Sequence, residues 1–210
     1  MNIETLADTI LARAGAAPRF MVALAGPPGS GKSTVAAALA RALETRGENV
    51  AVVPMDGFHY DDAVLKERGL GDRKGAPETF DFAGFHALLK RISAREAEVA
   101  VPLFDREMEL SRAAAAVVAG ETRLILVEGN YLLLNEEPWT KLQGLFDFSL
   151  FLDTPRGELE RRLMARWHGH GRSAEAARRW VETNDLPNAE RVIQRRRPAD
   201  ATLAELDLEG

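Results

Sequence analysis

The sequence predicts an α/β protein in which a five-stranded parallel sheet is flanked by helices. Short and almost unbroken apolar runs alternate with amphipathic segments, which is typical of a parallel sheet covered on both faces. A glycine-rich turn follows the first of these runs, and a carboxylate follows several later ones. Because ligands of open parallel sheets bind beyond the carboxyl ends of the strands, these features indicate a site at that edge.

The N-terminal part of the chain predicts two helices and two strands. Residues 3–14 carry apolar side chains near helical spacing, which predicts an amphipathic helix. The apolar run 20–25 predicts a buried strand, and residues 32–46 predict a helix with one apolar face. This helix is expected to end at Gly47, because glycine readily adopts the conformation that follows a helix. A second strand is predicted over 49–53.

The rest of the chain continues the alternation of apolar runs and helical patterns. The predicted elements are a helix at 81–92, strands at 99–104, 123–127 and 148–152, helices at 155–167, 173–183 and 188–197, and a strand at 201–206. Between them lies one long irregular stretch, residues 56–80. Loops of that length in compact proteins are usually functional. With no repeat or linker in the pattern, we expect a single domain over residues 1–210.

Composition excludes several classes of protein. The chain has 210 residues and a formal charge of −5, so it lacks the broad positive field of proteins that coat nucleic acids or anionic membranes. Without cysteine it forms neither a disulfide framework nor a thiolate metal site. The apolar runs are too short to cross a bilayer, and Glu4 and Asp8 do not fit a signal peptide. We therefore expect a cytoplasmic protein with no nucleic-acid or membrane partner.

The strongest motif is the segment GPPGSGKST at residues 26–34, which matches G-x-x-x-x-G-K-[ST]. Backbone N–H groups of such a loop surround phosphate oxygens, and the following helix directs its positive end at them. Lys32 would reach the β- and γ-phosphates, and the Ser33 hydroxyl would ligate Mg²⁺. The pattern predicts a P-loop NTPase fold with ATP and Mg²⁺ held by Gly26, Pro27, Pro28, Gly29, Ser30, Gly31, Lys32, Ser33 and Thr34.

A P-loop alone indicates nucleotide binding and leaves the reaction open. The Asn-Lys-x-Asp signature of GTPases and the LSGGQ-type signature of ABC ATPases are both absent, and the chain is short for a ring-forming ATPase. These observations favour a small kinase.

Carboxylates follow three of the predicted strands, at Asp56, Glu128 and Asp153. Glu128 has the position of an acid that holds Mg²⁺ directly or through water, although a helix N-cap would also place a carboxylate there. Asp56 could accept the proton of an acceptor alcohol, and its alternative is an ordinary Asx-turn. Asp153 is expected to cap the next helix and is left out of the site.

Together with the P-loop, Asp56-Gly57-Phe58 and the segment VEGNYL at 127–132 resemble the uridine kinase, phosphoribulokinase and bacterial type I pantothenate kinase superfamily. The resemblance covers about residues 20–205 and implies a nucleoside/nucleotide kinase-like fold. It also implies an ATP:alcohol phosphotransferase in which Asp56 is the catalytic base, Lys32 and Ser33 handle phosphates and Mg²⁺, and Glu128 supports the metal. Members of the superfamily often form homo-oligomers, and the sequence leaves this open.

The segments expected to bind the acceptor resemble two different branches of the superfamily. The loop segments 64–70 and 74–81 are similar to pantothenate kinases, but those enzymes carry Tyr-Ser-His where this chain has Phe104-Asp105-Arg106. Residues 101–107 look more like a bacterial branch described as nucleoside kinase-like or fructose-transport-system kinases, which implies a sugar acceptor. The expected substrate region is 56–106, with contacts from Asp56, Phe58, His59, Phe104 and Arg106. Pantothenate kinase and a nucleotide-dependent regulator without an acceptor remain alternatives.

Positive charge is concentrated in the window 156–179, which contains seven arginines and three glutamates. Arg162 and Arg166 are four residues apart and lie on one helix face. They match an Arg-x-x-x-Arg lid in the superfamily, and Arg172 lies close to a Gly-Arg of uridine kinases. Such a lid places an arginine on the transferred phosphate, with Arg166 favoured here and Arg172 second, and Arg162 and Arg172 are expected to contact the nucleotide. The alternative is a solvated helix face paired with its own glutamates.

Overall fold

The computed structural model of the protein describes residues 2–169, 171 and 173–204. Its strands are β1 (Phe20–Ala25), β2 (Val50–Pro54), β3 (Glu98–Asp105), β4 (Leu110–Ala119), β5 (Leu124–Gly129), β6 (Phe148–Leu152) and β7 (Ala201–Leu203). Five of them form one sheet in the order β2-β5-β1-β6-β7, and every neighbouring pair is parallel. The predicted five-stranded parallel sheet is confirmed.

Helices cover both faces of this sheet. They are α1 (Ile3–Ala14), α2 (Lys32–Thr45), α3 (Asp62–Glu67), α4 (Phe82–Ser93), α5 (Arg156–Gly169), α6 (Ala174–Trp180) and α7 (Leu186–Gln194). Helices α1 and α2 pack on one face through side chains such as Leu6 and Leu39. On the other face, α4 and α7 pack through side chains such as Phe85 and Val192. Because both faces are covered, β1, β5 and β6 are buried at every residue.

An antiparallel hairpin of β3 and β4 lies outside the main sheet. The sequence predicts the first strand of this hairpin but not the second. Val99 and Val101 of β3 and Val118 of β4 are buried in the same apolar cluster as α4. The hairpin turn, residues 106–109, carries one of the predicted substrate residues, Arg106.

Two further segments differ from the predictions. The stretch 56–80 is not irregular throughout, since it contains α3 and three short 3₁₀ turns. The predicted helices at 173–183 and 188–197 are instead one continuous helical segment, because a π-turn over Val181–Asp185 joins α6 to α7. Within the described ranges, every helix falls short of the length or the apolar character that a membrane span needs.

Candidate active site

The P-loop connects β1 to α2 and turns sharply between them. Gly29 and Gly31 have φ values of +81° and +87°, a left-handed conformation that strains other residues. The Ser30 amide donates to the Pro27 carbonyl oxygen at 3.1 Å. The loop therefore curls around the N-terminus of α2, where free N–H groups and the helix dipole favour an anion.

Lys32 begins α2 and is almost completely buried, with 8% of its surface exposed. Its Nζ donates to the Pro27 carbonyl oxygen at 3.0 Å and lies 3.5 Å from Ser30 Oγ. Burial lowers the pKa of Lys32 to about 8, although the carboxylates of Glu128 and Asp56 act in the opposite direction. A buried ammonium with an unfavoured charge is suited to receive a phosphate, which would stabilise that charge.

Glu128 lies beside the P-loop because β5 is paired with β1, which places it level with Leu24. Its Oε1 accepts a hydrogen bond from Ser33 Oγ at 3.1 Å. Burial, followed by the nearby charge of Asp56, raises the pKa of the Glu128 carboxyl. A carboxylate and a hydroxyl oxygen are hard ligands of the kind Mg²⁺ prefers, and Mg²⁺ usually takes one or two protein ligands together with substrate phosphates. Ser33 and Glu128 therefore fit Mg²⁺, which when bound neutralises phosphate charge.

Asp56 follows β2 in a 3₁₀ turn, Met55–Phe58, and lies near Glu128 because β2 is the other neighbour of β5. Its Oδ2 forms an ion pair with Arg106 Nη2 at 2.9 Å. Burial acts to raise the pKa of the Asp56 carboxyl, but the positive charges around it, led by His59 and Arg106, outweigh burial and lower the pKa below its usual value. The Asp56 side chain is therefore ionised at neutral pH.

The hairpin packs directly on the turn that carries Asp56. A Cβ at Gly57 would lie 2.1 Å from the Pro102 carbonyl oxygen, so only glycine allows this approach of the two backbones. Ser111 Oγ donates to the His59 carbonyl oxygen at 3.3 Å, and the His59 and Phe104 rings are 4.9 Å apart. These contacts fix the hairpin relative to Asp56.

Two cavities meet at Asp56. A smaller one of about 190 Å³ is lined by Glu128 and by the P-loop residues Pro28, Gly29, Gly31, Lys32, Ser33 and Thr34. A larger one of about 650 Å³ extends away from it between the hairpin, α3 and the helical segment α5–α7. Both cavities are lined by Pro28, Asp56, Arg106, Asn130 and Arg166. A phosphate chain in the smaller cavity and a second molecule in the larger one would thus meet beside the Asp56 carboxylate.

Four of the five predicted substrate residues line this larger cavity: Asp56, His59, Phe104 and Arg106. The His59 ring packs against Phe80 at 4.0 Å, and burial lowers the pKa of His59. Phe58 is a correction: it is 9% exposed and packs in the core against Phe85, with 5.1 Å between ring centroids. The turn after β2 directs this apolar side chain into the core, so Phe58 stabilises the turn that carries Asp56 and does not line the cavity.

Arg162 and Arg166 lie on the same face of α5, as predicted, but at different places in the site. Arg162 Nη1 is 3.4 Å from the carbonyl oxygens of Gly29 and Ser30, so it contacts the P-loop backbone. Arg166 lies one turn further on and lines both cavities. The predicted contact of Arg172 falls outside the described residues.

Several pocket residues were not predicted from the sequence. Asn130 lines both cavities and stands two residues after Glu128, so its position after a strand is the signal that could have found it. Lys74 Nζ forms an ion pair with Asp62 at 2.6 Å and lies 5.4 Å from the Phe104 ring centroid. Trp167 Nε1 donates to Asp185 Oδ2 at 2.6 Å at the far wall. These contacts join distant parts of the chain, and no local pattern indicates them.

Comparison with known proteins agrees with this geometry. The model of the phosphoribulokinase/uridine kinase family matches residues 21–205. The chain belongs to this family. The fold and the resemblance predicted from the motifs are thereby confirmed, and the protein is a small-molecule kinase. Membership of this P-loop kinase family implies the use of ATP and typically of Mg²⁺.

Three relatives show how this kinase stands within the family. A solved structure described as a "putative fructose transport system kinase" from Silicibacter sp. is 45% identical with a TM-score of 0.91, and the match covers 97% of this kinase and 99% of that chain. A "putative uridine kinase" from Schizosaccharomyces pombe is 35% identical, covering 90% of this kinase and 85% of the relative. Pantothenate kinase from Enterococcus faecalis is 33% identical over 71% of this kinase, which spans half of the relative's length.

Proposed function

We propose that this kinase transfers the γ-phosphoryl group of ATP to an alcohol hydroxyl of a small polyhydroxylated metabolite, a sugar or a nucleoside. The observation that carries the proposal is the junction of the two cavities at Asp56, with Lys32 on the nucleotide side and Arg166 on both sides. The chain would act as one kinase domain, with residues 56–106 around the acceptor and residues 156–179 as the lid.

The roles of the residues follow from their positions. Asp56 is ionised and lies where the acceptor hydroxyl would approach, so it accepts the hydroxyl proton as the oxygen attacks the γ-phosphorus. Lys32 and Arg166 stabilise the negative charge that spreads over the transferring group. Arg162 supports the P-loop through its backbone carbonyls. Ser33 and Glu128 would hold Mg²⁺.

The larger cavity supports a polar acceptor of metabolite size. Its volume of about 650 Å³ lies within the usual range for small-molecule sites. Hydrogen-bonding side chains such as His59, Asn130 and Asn188 alternate there with the aromatic walls of Phe104 and Trp167. Such a lining suits a molecule with several hydroxyl groups and an apolar face. The fructose transport system in the description of the structure that is 45% identical also favours a sugar.

Pantothenate is the second candidate, because a pantothenate kinase is 33% identical over most of this chain. The region that would contact the acceptor differs, however, since Arg106 occupies the hairpin turn and binds the proposed base. The two candidates therefore differ in the pocket and not in the phosphate site.

The test is the release of ADP, and the mass of the phosphorylated product, in the presence of hexoses, pentoses, nucleosides and pantothenate one at a time. The proposal expects a sharp increase with one sugar or nucleoside and a product heavier by one phosphoryl group. Stimulation by pantothenate alone would establish the second candidate. The same slow release with every compound would contradict a kinase acting on these acceptors and favour a nucleotide-dependent regulator.

A further inference from the structure

Arg106 occupies an unusual place between the two cavities. It follows Asp105, whose Oδ1 accepts hydrogen bonds from the Glu107 and Met108 amides at 3.1 Å and thereby holds the hairpin turn. Arg106 extends from this turn to Asp56 Oδ2 at 2.9 Å and lines both the phosphate cavity and the acceptor pocket. A single guanidinium thus contacts the proposed base and lines both cavities.

The ion pair is placed so that it can open. The Arg106 side chain is 46% exposed, whereas that of Asp56 is 24% exposed. Lys32 and Arg166 also face Asp56, but among the described residues Arg106 is the side chain that donates a hydrogen bond to its carboxylate. Arg106 therefore occupies one oxygen of the proposed base, and its charge makes the carboxylate a weaker proton acceptor.

The pair has little to contribute to the stability of the hairpin. Three other contacts already tie the hairpin to the Asp56 turn: the close approach of Gly57 to Pro102, the Ser111 hydrogen bond to His59, and the packing of Phe104 on His59. A half-exposed ion pair adds little to such packing. A role in the reaction explains its position better than a role in folding.

We propose that Arg106 couples phosphoryl transfer to acceptor binding. In the empty pocket it holds the Asp56 carboxylate and prevents Asp56 from activating water against ATP. A bound acceptor places its hydroxyl at Asp56 and displaces Arg106, which then faces the negative charge of the transferring group. This inference rests on the proposed role of Asp56 as base.

The two competing reactions have the same balance of atoms. In transfer, the acceptor oxygen forms a bond to the γ-phosphorus, the bond from this phosphorus to the bridging oxygen breaks with its electron pair going to ADP, and the hydroxyl proton goes to Asp56. With water in place of the acceptor, the same step yields ADP and inorganic phosphate. Arg106 would therefore suppress the hydrolysis of ATP, whereas ATP binding would not depend on Arg106.

The experiment measures ADP release with and without a stimulating acceptor in Arg106→Met, Arg106→Lys and Arg112→Ala. Arg112 lies on the same hairpin, pairs with Asp105 at 3.4 Å and is 56% exposed, so it serves as the matched control. We expect Arg106→Met to raise acceptor-independent hydrolysis about fivefold, the effect of losing one half-exposed ion pair. The acceptor-dependent transfer of Arg106→Met should fall. In Arg106→Lys, the rates of hydrolysis and of transfer should both return part of the way to the wild-type values. Arg112→Ala should match the wild type in both rates.

The double variant Arg106→Met with Asp56→Asn separates this inference from the proposed function. If Asp56 drives the released hydrolysis, the double variant returns to the wild-type background rate. Unchanged acceptor-independent hydrolysis in Arg106→Met, with ATP affinity and thermal unfolding as in the wild type, overturns the coupling role and leaves the kinase proposal standing. If Arg106→Met fails to fold, Arg106→Gln gives the same comparison. Failure of the proposed function shows separately, as transfer that persists in Asp56→Asn.

Discussion

Lys32 and Asp56 line the same cavity, and the pKa of each is lowered for a different reason. Burial lowers the pKa of Lys32 to about 8, because the P-loop removes its ammonium from water. The pKa of Asp56 also falls, although burial alone would raise it, because nearby positive charges led by His59 and Arg106 stabilise the carboxylate. The site therefore combines an ammonium that loses its proton readily with a carboxylate that stays ionised.

This ionisation of Lys32 predicts that ATP binding takes up a proton at alkaline pH. Lys32 is protonated below about pH 8 and loses its proton above it, whereas phosphates at the P-loop would raise its pKa again. Titration calorimetry of Mg²⁺-ATP at about pH 8.5, in buffers of different ionisation enthalpy, should show uptake of most of one proton. At about pH 6.5 the uptake by this group should vanish. Binding enthalpies that do not depend on the buffer at alkaline pH would contradict a neutral Lys32 in the free protein.

The sequence could identify the residues that follow strands but not their partners. Asp56 and Glu128 were predictable because parallel strands end at one edge of the sheet. The pairing of Asp56 with Arg106 was not, since 50 residues separate them and the hairpin that joins them depends on tertiary packing. For Phe58, the motif Asp-Gly-Phe identified the turn correctly. The direction of each side chain in this turn depends on the backbone conformation, which the sequence does not give.

The β3–β4 hairpin is the element whose existence the sequence least indicates. Strand β4 reads LSRAAAAVVA, and alanine is depleted in strands and favoured in helices. Its pairing with β3 and the burial of Val118 override that local preference. This strand completes the hairpin that carries Arg106, so the missed element supports one wall of the larger cavity.

The helical segment from α6 to α7 shows how a proline can be accommodated. The predicted helices at 173–183 and 188–197 left a gap that contains Pro187, yet the helix continues through a π-turn over Val181–Asp185. Proline cannot donate the amide hydrogen bond of a regular helix, and π-turns in helices often lie at functional sites. Here the turn presents Asp185 to the larger cavity, and Asn184 donates to the Lys74 carbonyl oxygen at 2.8 Å.

The described arginines of the positive window, residues 156–179, fall into two groups, those paired with glutamates and Arg166, which lines the cavities. Among the described residues of this window, most arginines pair with glutamates: Arg156, Arg161, Arg162, Arg178 and Arg179. Hydrogen bonds from Arg161 and Arg162 lower the pKa of Glu158 to about 2. Most of the window is therefore a paired helix face, whereas Arg166 lines both cavities, and its role as a lid arginine stays a prediction.

This division predicts different effects for the two arginines of the pair. Arg166→Ala should lower the rate of transfer about a hundredfold with little change in ATP affinity, because it would act on charge that develops in the transition state. Arg162→Ala should instead weaken ATP binding about fivefold, because it contacts the P-loop carbonyls. The measurements are ATP dissociation constants and single-turnover rates, with Arg161→Ala as the exposed control on the same helix. Equal effects of Arg162→Ala and Arg166→Ala on both quantities would show that the two side chains act as one unit.

On the scale of the whole molecule, the order of strands assembles the site. The P-loop strand β1 lies at the centre of the sheet, with Glu128 at the end of one neighbour and Asp56 beyond the next strand. The alternation of strands and helices predicted this fold class. The net charge of −5 did not predict the site, because it averages an acidic body with a local excess of arginine, of which Arg166 lines both cavities.

The central claim is that Asp56 accepts the proton of the acceptor, and Asp56→Asn tests it most directly. The measurement pairs the ATP dissociation constant with the single-turnover rate of acceptor phosphorylation, and Asp153→Asn, another carboxylate at a strand end, is the matched control. We predict that Asp56→Asn binds ATP nearly as the wild type does but transfers the phosphoryl group about a thousandfold more slowly, the usual contribution of a general base. A wild-type rate of transfer in Asp56→Asn would contradict the account.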